Sequence, residues 1–275
     1  MLNRDDLDTL AQLLRAAAEQ ELRPRFLEVK ARLKADGSLI TEADLGMQAR
    51  VVKELEQRWP AFTLLGEEME ASQQEALLQS RDKGLWVLDP LDGTSNFASG
   101  IPFFGVSLAF IGEQGAQAGL VLDPVRDECF TALKGVGAWL NGKALKLEAQ
   151  GRPLRDAMAT VDFKRLPATL AYSLAREAPY RSQRSFGSVA LDWCWLAAGR
   201  IQVYLHGGQR LWDYAAGSLI FREAGGLGGL YRDFQGQLEP DQTLQPRIGI
   251  GATEPGLFEL WRDWISERED QSPGD

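Results

Sequence analysis

Two aspartates, Asp89 and Asp92, stand three positions apart directly after an apolar run at residues 85–88 that is typical of a buried strand. Pro90 stiffens the backbone between them, and Gly93 lets the chain approach a bound group closely. Carboxylates are hard oxygen ligands, which suit Mg²⁺ together with waters and a substrate phosphate. The same residues also favour a β-turn for purely local reasons, so the pair alone does not establish a metal site.

The residues after Gly93 could bind an anion. If residues 94–97 open a helical turn, the free N–H groups of Gly93, Thr94 and Ser95 point to one place and favour a negative charge. Two carboxylates beside an anion are compatible only when cations lie between them. The stretch therefore predicts a phosphate held against divalent ions, provided that acidic side chains from elsewhere reach the same point.

Four further acids are candidates for that role. Asp44 stands three residues after Thr41, which is the spacing of a helix cap, and it could also contact a hydroxyl of the central loop. Glu67 and Glu68 follow a short apolar strand; such acids are usually solvated, yet one of them could point inward. Asp213 precedes an alanine-rich helix and could be a helix-capping acid or a third carboxylate ligand.

Composition limits the class of protein. The 275 residues are 44% hydrophobic and 25% charged, which suits an ordinary globular enzyme of one large or two moderate domains. The net charge of −9 argues against a nucleic-acid surface, but not against a phosphorylated substrate, because Mg²⁺ can reverse the local field. Cys129 and Cys194 are predicted to be buried thiols. No stretch suits a membrane span or a signal peptide, so we expect a cytoplasmic protein.

The spacing of apolar residues predicts the elements that must position these acids. Predicted helices cover residues 3–20, 41–59, 167–177, 187–199, 212–224 and 254–268. Predicted strands cover residues 39–40, 62–65, 85–88, 103–111, 118–122, 129–133, 159–163, 201–205, 226–231 and 247–251. Residues 181–185 and 206–211 are expected to be loops. The polar stretch 143–157 divides a predicted domain at 1–150 from one at 151–268, and 269–275 should be a disordered tail.

Three acidic motifs follow one another along the chain: GEE at residues 66–68, DPLDGTSNF at 89–97 and WDYAAG at 212–217. In this order they resemble the signatures of the inositol monophosphatases. With residues 41–44, 134–142 and 223–226 the resemblance spans about residues 34–230. It implies a layered αβαβα sugar-phosphatase fold, in which an N-terminal α+β domain contains an antiparallel sheet and the C-terminal domain is α/β. It also implies Mg²⁺-dependent hydrolysis of a phosphomonoester, lithium sensitivity in many members and often a homodimer.

The same resemblance implies a role for each matched residue. The implied ligands of two or three Mg²⁺ ions are Glu67, Asp89, the Leu91 carbonyl, Asp92 and Asp213. Asp89 would bridge two ions, and Glu67 would act in catalysis as well. Thr94, hydrogen-bonded to Asp44, would position the attacking water. The implied supporting groups are Glu68 beside the metals, the N–H groups of Gly93 and Thr94 on the phosphate, and Ser185 near the substrate. Because paired metals activate water directly, no covalent nucleophile is needed.

The substrate side departs from the pattern of the inositol-directed members. Those carry a glutamate seven residues before the Trp-Asp aspartate, whereas this chain has its single histidine, His206, at that position. His206 and the nearby Arg210 are candidates for substrate binding, although His206 could equally be an exposed loop residue. Four basic residues could bind a second phosphate or form a solvated surface: Lys164, Arg165, Arg181 and Arg184.

We therefore expect an Mg²⁺-dependent phosphatase of inositol-1-phosphate or a similar small polyol phosphate. Alternatives within the enzyme class are a 3′(2′),5′-bisphosphate nucleotidase and a member of the fructose-1,6-bisphosphatase or histidinol-phosphatase type. The alternative from another class is a regulatory protein that contacts the transcription machinery. A complete set of clustered acids disfavours a purely structural role, because such acids cost stability when no cation compensates them.

Overall fold

The computed structural model describes residues 2–28, 32–33, 39–234, 236, 238 and 243–269. Its helices are α1 Arg4–Glu21, α2 Glu42–Arg58, α3 Ala71–Gln79, α4 Thr94–Ala98, α5 Ala168–Arg176, α6 Val189–Ala197, α7 Leu211–Glu223 and α8 Pro255–Glu269. Its strands are β1 Arg32–Leu33, β2 Leu39–Ile40, β3 Thr63–Gly66, β4 Leu85–Asp92, β5 Gly105–Gly112, β6 Gly115–Asp123, β7 Glu128–Leu133, β8 Gly137–Leu140, β9 Lys143–Leu145, β10 Met158–Asp162, β11 Ser182–Arg184, β12 Val203–Gln209, β13 Leu227–Tyr231 and β14 Arg247–Ala252.

Two large sheets organise the chain. The first has seven strands in the order β3-β4-β5-β6-β7-β8-β9, and it is antiparallel except for the parallel pair β3–β4. The second has five strands in the order β11-β10-β12-β14-β13, with β10 parallel to both of its neighbours. Short antiparallel strands β1 and β2 pair separately. The large sheet is thus mostly a meander, and the smaller sheet is mixed.

Helices and sheets alternate in five layers. Helices α1 and α2 cover the outer face of the seven-stranded sheet, where Leu10 and Met47 pack in the same cluster as Trp86. Helices α6 and α7 fill the space between the sheets through residues such as Trp193 and Phe221. A third cluster joins α5 and α8 to the far face of the smaller sheet. The predicted αβαβα fold is therefore confirmed, and the middle helices are the elements that both sheets hold in place.

Local sequence explains where the two outer helices begin. Asn3 accepts a hydrogen bond from the backbone of Asp6, whose carboxylate in turn accepts one from the Asn3 N–H, and the same reciprocal pair forms between Thr41 and Asp44. Each pair satisfies backbone groups that the first helical turn leaves without a partner. The predicted starts of α1 and α2 are confirmed for this reason.

Three predictions of local structure were wrong. Strand β4 does not end before the acidic motif but continues through Asp92, with an irregularity in its register between Asp89 and Asp92. Residues 182–184 form β11 along the edge of the smaller sheet instead of a loop. His206 lies within β12, because Gly207 and Gly208 form an irregular part of that strand and do not end it.

The predictions for the cysteines, the domain boundary and the C-terminal tail have different outcomes. Cys129 and Cys194 are buried free thiols, as predicted. The division of the chain near residue 150 stays a prediction; residues 63–145 supply the strands of the large sheet and residues 158–252 those of the smaller one. Of the predicted tail, 269 belongs to α8 and 270–275 lie outside the described residues. No helix in the described ranges is long and apolar enough to cross a bilayer.

Candidate active site

The Thr94 hydroxyl joins the start of α4 to the start of α2. Its oxygen lies 3.1 Å from Asp44 Oδ1 and 3.0 Å from the Leu91 carbonyl oxygen. A hydroxyl has one proton, so it donates to one of these acceptors at a time. The other oxygen of Asp44 accepts from the Thr41 N–H at 2.7 Å and from the Thr41 hydroxyl at 2.6 Å. The predicted contact between Asp44 and the central loop is present, and the helix cap supplies its rigidity.

Asp89 and Asp92 lie on the last part of β4, where the pairing with β5 is irregular. Both side chains are buried, with 2% and 8% of their surface exposed. Asp89 Oδ1 accepts a hydrogen bond from the Leu91 N–H at 2.9 Å, which fixes that carboxylate against its own backbone. The irregular register therefore directs two carboxylates and the Leu91 carbonyl into the region that Thr94 borders.

Asp92 is held from the other side by the first turn of α6. Its Oδ2 accepts from the Ser188 hydroxyl at 2.6 Å and from the Ala190 N–H at 2.7 Å. Ser188 is the residue that caps α6, since its side chain also accepts from Leu191 N–H. A serine before an apolar helix was a visible capping signal. No local pattern indicated that this cap would also bind an acid of β4.

Asp213 is the third residue of α7. Its Oδ2 accepts from the Arg210 N–H at 2.8 Å, so Asp213 caps α7 from inside the helix. The prediction that Asp213 itself is the N-cap residue was wrong, because Arg210 occupies that position. The start of α7 is tied to the large sheet, because the Ser107 hydroxyl of β5 donates to the Trp212 carbonyl at 2.8 Å. Ser107 pairs with Asp89 in the β4–β5 register, which places Asp213 beside the acids of β4.

Glu67 and Glu68 follow the end of β3. The Glu67 N–H continues the parallel pairing with a 3.1 Å hydrogen bond to the Leu88 carbonyl, so Glu67 adjoins Asp89 across the strands. The Gln74 side chain of α3 donates to the carbonyl oxygens of Gly66 and Glu67 at 2.9 and 3.1 Å and fixes this turn. Glu67 thus reaches the acidic cluster from a neighbouring strand.

Four acids influence one another in this cluster. Burial raises the pKa of Asp89 well above its usual range, and the charges of Glu67, Asp92 and Asp213 raise it further. Burial likewise raises the pKa of Asp92 to about 6, against the hydrogen bonds of Ser188 and Ala190. The pKa of Asp213 is raised by burial and by the charges of Asp92 and Glu67. The three aspartates and Glu67 are therefore close enough for their charges to interact, and a cation would relieve the repulsion.

The donor set fits a hard divalent ion. Carboxylates and a backbone carbonyl are the oxygen ligands that Mg²⁺ takes in proteins. Asp89 and Asp213 each bind a backbone N–H with one carboxylate oxygen, which leaves the second oxygen available for a metal. Among the described residues no group of three or more acids, histidines or cysteines is arranged so that it could hold a metal ion without rearrangement. The burial of Asp89 and Asp92 beside Glu67 and the start of α7, together with ligand chemistry, is the observation that supports the metal site.

Gly93 provides a backbone conformation that other residues adopt at a cost. Its φ is +96°, and a Cβ atom placed on it would lie 3.2 Å from the carbonyl oxygens of Gly187 and Phe103. Gly93 caps the short helix α4, so the predicted helical turn is confirmed. The N–H groups of Gly93 and Thr94 lie at its first turn, where they can donate to an anion.

The three candidate substrate residues, Ser185, His206 and Arg210, lie outside the acidic cluster. Ser185 is exposed, three residues before the Ser188 that binds Asp92. Arg210 is exposed as well, and its guanidinium donates to the Leu244 carbonyl at 3.3 Å. His206 is buried and lies 3.1 Å from Asp162, so the alternative that it is an exposed loop residue was wrong. The substrate roles of these three residues stay predictions.

Comparisons with known proteins address the family. The model of the inositol monophosphatase family matches residues 3–263. The chain belongs to this family. Inositol monophosphatase 1 of Solanum lycopersicum is 36% identical over 251 residues, 89% of each chain. The Nus factor SuhB of Pasteurella multocida is 36% identical over 206 residues, 73% of this chain and 74% of that protein.

Solved structures confirm the fold. The extragenic suppressor protein suhB of Bartonella henselae has a TM-score of 0.80 at 28% identity, covering 96% of this chain and 99% of its own. The Thermotoga maritima IMPase has a TM-score of 0.79 at 26% identity, covering 96% and 97%. The predicted class of enzyme is confirmed by the family membership: the protein is a phosphoric monoester hydrolase of a family that generally depends on Mg²⁺.

Proposed function

We propose that this protein hydrolyses a small phosphorylated polyol, such as inositol-1-phosphate, by in-line attack of water without a covalent intermediate. The observation that carries this proposal is the grouping of four acids, two of them buried on β4, beside the hydrogen-bonded Thr94–Asp44 pair. Family membership supports the reaction class. The polyol is our own inference, supported by plant relatives named inositol monophosphatases.

Two or three Mg²⁺ ions would be held by these residues: Glu67, Asp89, the Leu91 carbonyl, Asp92 and Asp213. When bound, the ions would activate a water and neutralise charge on the phosphate and on the leaving oxygen. Glu68 would stay outside this set and support the turn. Its N–H donates to the Gln48 side chain at 3.3 Å, which ties the turn to α2.

Thr94 and Asp44 would orient the attacking water. With its proton donated to Asp44, the Thr94 oxygen can accept a hydrogen bond from water and fix the direction of its lone pair. Burial raises the pKa of Asp44, while hydrogen bonds from Thr41 and Thr94 stabilise its charged form. The N–H groups of Gly93 and Thr94 would hold the phosphate oxygens in line with this water.

Phosphate release from a panel of esters tests this function. The panel contains inositol-1-phosphate, adenosine 3′,5′-bisphosphate, fructose-1,6-bisphosphate and histidinol phosphate, each with Mg²⁺, with EDTA and with Li⁺. We expect release only with Mg²⁺, inhibition by Li⁺, and loss of at least a hundredfold in Asp89→Asn. The matched control is Asp127→Asn, since Asp127 is exposed and paired with Arg15. Release that persists in EDTA, or in Asp89→Asn, would contradict the proposal.

A regulatory function is the alternative from another class, and relatives named Nus factor SuhB motivate it. Asp89→Asn separates the two, because a contact surface for transcription proteins does not need a metal ligand. If the substituted protein kept full biological activity, the regulatory function would be supported.

The expected homodimer is measured in the same preparation by light scattering.

A further inference from the structure

His206 is a buried neutral histidine with a defined orientation. Its Nδ1 accepts a hydrogen bond from the Gly208 N–H at 3.2 Å, so this nitrogen carries no proton. The proton is therefore on Nε2, which lies 3.1 Å from Asp162 Oδ2. Burial lowers the pKa of His206 despite the charge of Asp162, which agrees with the neutral form. Histidine in this state adds a hydrogen-bond donor but no charge.

Asp162 connects this histidine to Arg165. The two residues Asp162 and His206 are direct neighbours in the parallel pair β10–β12. Asp162 also accepts from the Arg165 guanidinium at 2.5 Å and, through its other oxygen, from the Lys164 N–H at 3.1 Å. Burial disfavours the charged form of Asp162. His206 and Arg165 together have the larger opposite effect, and they hold the pKa of Asp162 well below its usual range. A charged Asp162 therefore fixes the side chain of Arg165.

Arg165 packs on the segment of β12 that leads to the acidic cluster. A Cβ atom on Gly207 would come within 1.9 Å of the Arg165 carbonyl oxygen, and one on Gly208 would lie 3.8 Å from Arg165 Cδ. Only glycine at 207 permits this approach. Strand β12 ends at Gln209, and α7, which carries Asp213, begins two residues later at Leu211, so Arg165 lies against the segment that leads directly into the acidic cluster. Arg165 thus borders the cluster without belonging to it.

The Arg165 guanidinium has N–H groups beyond the one that binds Asp162, and these are available to a ligand. It carries five N–H groups, and among the described residues Asp162 is its one hydrogen-bond acceptor. Half of the side chain is exposed to solvent. A side chain that is fixed on one edge, open on the other and beside an ester site is suited to bind a carboxylate or a phosphate in a bidentate way. Arg184, by contrast, is exposed and donates to its own strand.

We propose that Arg165, positioned by Asp162 and His206, binds a second anionic group of the substrate. The substrate class is then a small phosphate monoester that also carries a carboxylate or a second phosphate. This inference rests on the proposed function and narrows it, because an uncharged polyol would leave the open edge of Arg165 without a partner.

Two matched pairs of esters test this inference in the Mg²⁺-loaded enzyme. Glycerol-2-phosphate and 2-phosphoglycerate differ by one carboxylate, and fructose-1-phosphate and fructose-1,6-bisphosphate differ by one phosphate. We expect the charged member of at least one pair to have a kcat/KM at least tenfold higher in the wild-type enzyme. The pair that responds identifies the anion. In Arg165→Gln this preference should fall at least tenfold, mainly through KM.

Two further variants test whether the effect belongs to Arg165 and to its positioning by Asp162. Arg184→Gln should retain the wild-type preference. Asp162→Asn should raise KM for the charged member while kcat is retained, since it frees Arg165 from its position without touching the acids. Absence of a preference in the wild-type enzyme, or an equal loss on both members in Arg165→Gln, would overturn the inference alone. Absence of phosphate release from all four esters, while inositol-1-phosphate is hydrolysed, would overturn this inference alone. Absence of release from inositol-1-phosphate as well would overturn the proposed function and this inference together.

Discussion

The Ser188 hydroxyl donates a 2.6 Å hydrogen bond to Asp92 across 96 positions of sequence. It joins the start of α6, in the middle layer, to the last residue of β4 in the large sheet. The bond occupies one oxygen of a candidate metal ligand and fixes the rotamer of the carboxylate. The packing of α6 against the large sheet thus contributes directly to the geometry of the acidic cluster.

Ser188→Ala should weaken both folding and metal binding. The substitution removes one of two donors to the buried Asp92 oxygen and should cost about 1–3 kcal/mol of unfolding free energy. We expect the Mg²⁺ concentration for half-maximal activity to rise several-fold, measured by phosphate release during a metal titration. The control is Ser266→Ala, which removes a hydroxyl that donates within α8. An unchanged metal requirement in Ser188→Ala would refute the positioning role.

Thr94→Val should remove activity but retain the fold. Valine keeps the shape of threonine and lacks the hydroxyl that contacts Asp44 and the Leu91 carbonyl. We expect kcat to fall about 100-fold or more, as for the loss of a group that orients a reactant. Thr94→Ser restores the hydroxyl and should recover most of the rate. Equal rates for the valine and serine variants would contradict the role of the hydroxyl.

Gly93→Ala should reduce stability and activity together. Its cost has two parts that can be measured separately: the strained backbone conformation and the close contacts of the added Cβ. The backbone has a φ of +96°, and the added Cβ would lie 3.2–3.3 Å from three backbone atoms of other segments. The matched control is Gly142→Ala, where φ is +77° but nothing lies within 4 Å. The control measures the cost of the backbone conformation alone, about 1 kcal/mol. Denaturant unfolding should show a larger loss for Gly93→Ala, and equal losses would exclude an effect of close packing.

The metal-free protein should lose stability as the pH rises. A carboxyl whose folded pKa is raised stabilises the fold fully below its unfolded pKa of about 3.9, and that contribution is lost as the pH rises through the folded value. For Asp92 the window runs to about 6, since burial is the main cause of its raised pKa. Asp89 and Asp213 are shifted in the same direction. Denaturant unfolding in EDTA across pH 4 to 8 should show the decline, and saturating Mg²⁺ should reverse it.

Asp213→Asn should have opposite effects on the two forms of the protein. Asparagine cannot ionise, so the variant should stabilise the metal-free form at high pH by about 1 kcal/mol or more, because burial and the charges of Asp92 and Glu67 disfavour a charged carboxylate at this position. The stabilisation by Mg²⁺ should largely disappear in the same variant. Thermal unfolding with EDTA and with Mg²⁺ measures both effects. A variant that is less stable without metal but still stabilised fully by Mg²⁺ would contradict this explanation.

Features set by near neighbours in sequence were the ones that could be predicted. The caps at Asn3 and Thr41 depend on residues three positions away, so the starts of α1 and α2 follow from the sequence. The spacing of apolar residues did not show where strands β4 and β12 end. Asp89 and Asp92 have the residues of a turn, but pairing with β5 keeps them in β4. Gly207 and Gly208 likewise indicated a loop, yet pairing with β14 resumes at Gln209.

The site was only partly accessible from sequence for a related reason. The acids were visible as residue types in order, but their partners are separated from them by long stretches of chain. Ser188 reaches Asp92 only because α6 packs between the sheets, and His206 reaches Asp162 only because β10 and β12 are parallel neighbours. These contacts depend on the register of whole elements, which no local pattern specifies.

The most direct test of the acidic cluster is an anomalous difference map from crystals of the protein grown with Mn²⁺. Divalent ions should appear as peaks within coordination distance, about 2.0–2.3 Å, of oxygens of Asp89 and of at least two of Glu67, Asp92, Asp213 and the Leu91 carbonyl. No peak beside Asp89 in fully loaded crystals, or peaks only at exposed acids elsewhere, would contradict a metal centre at this site.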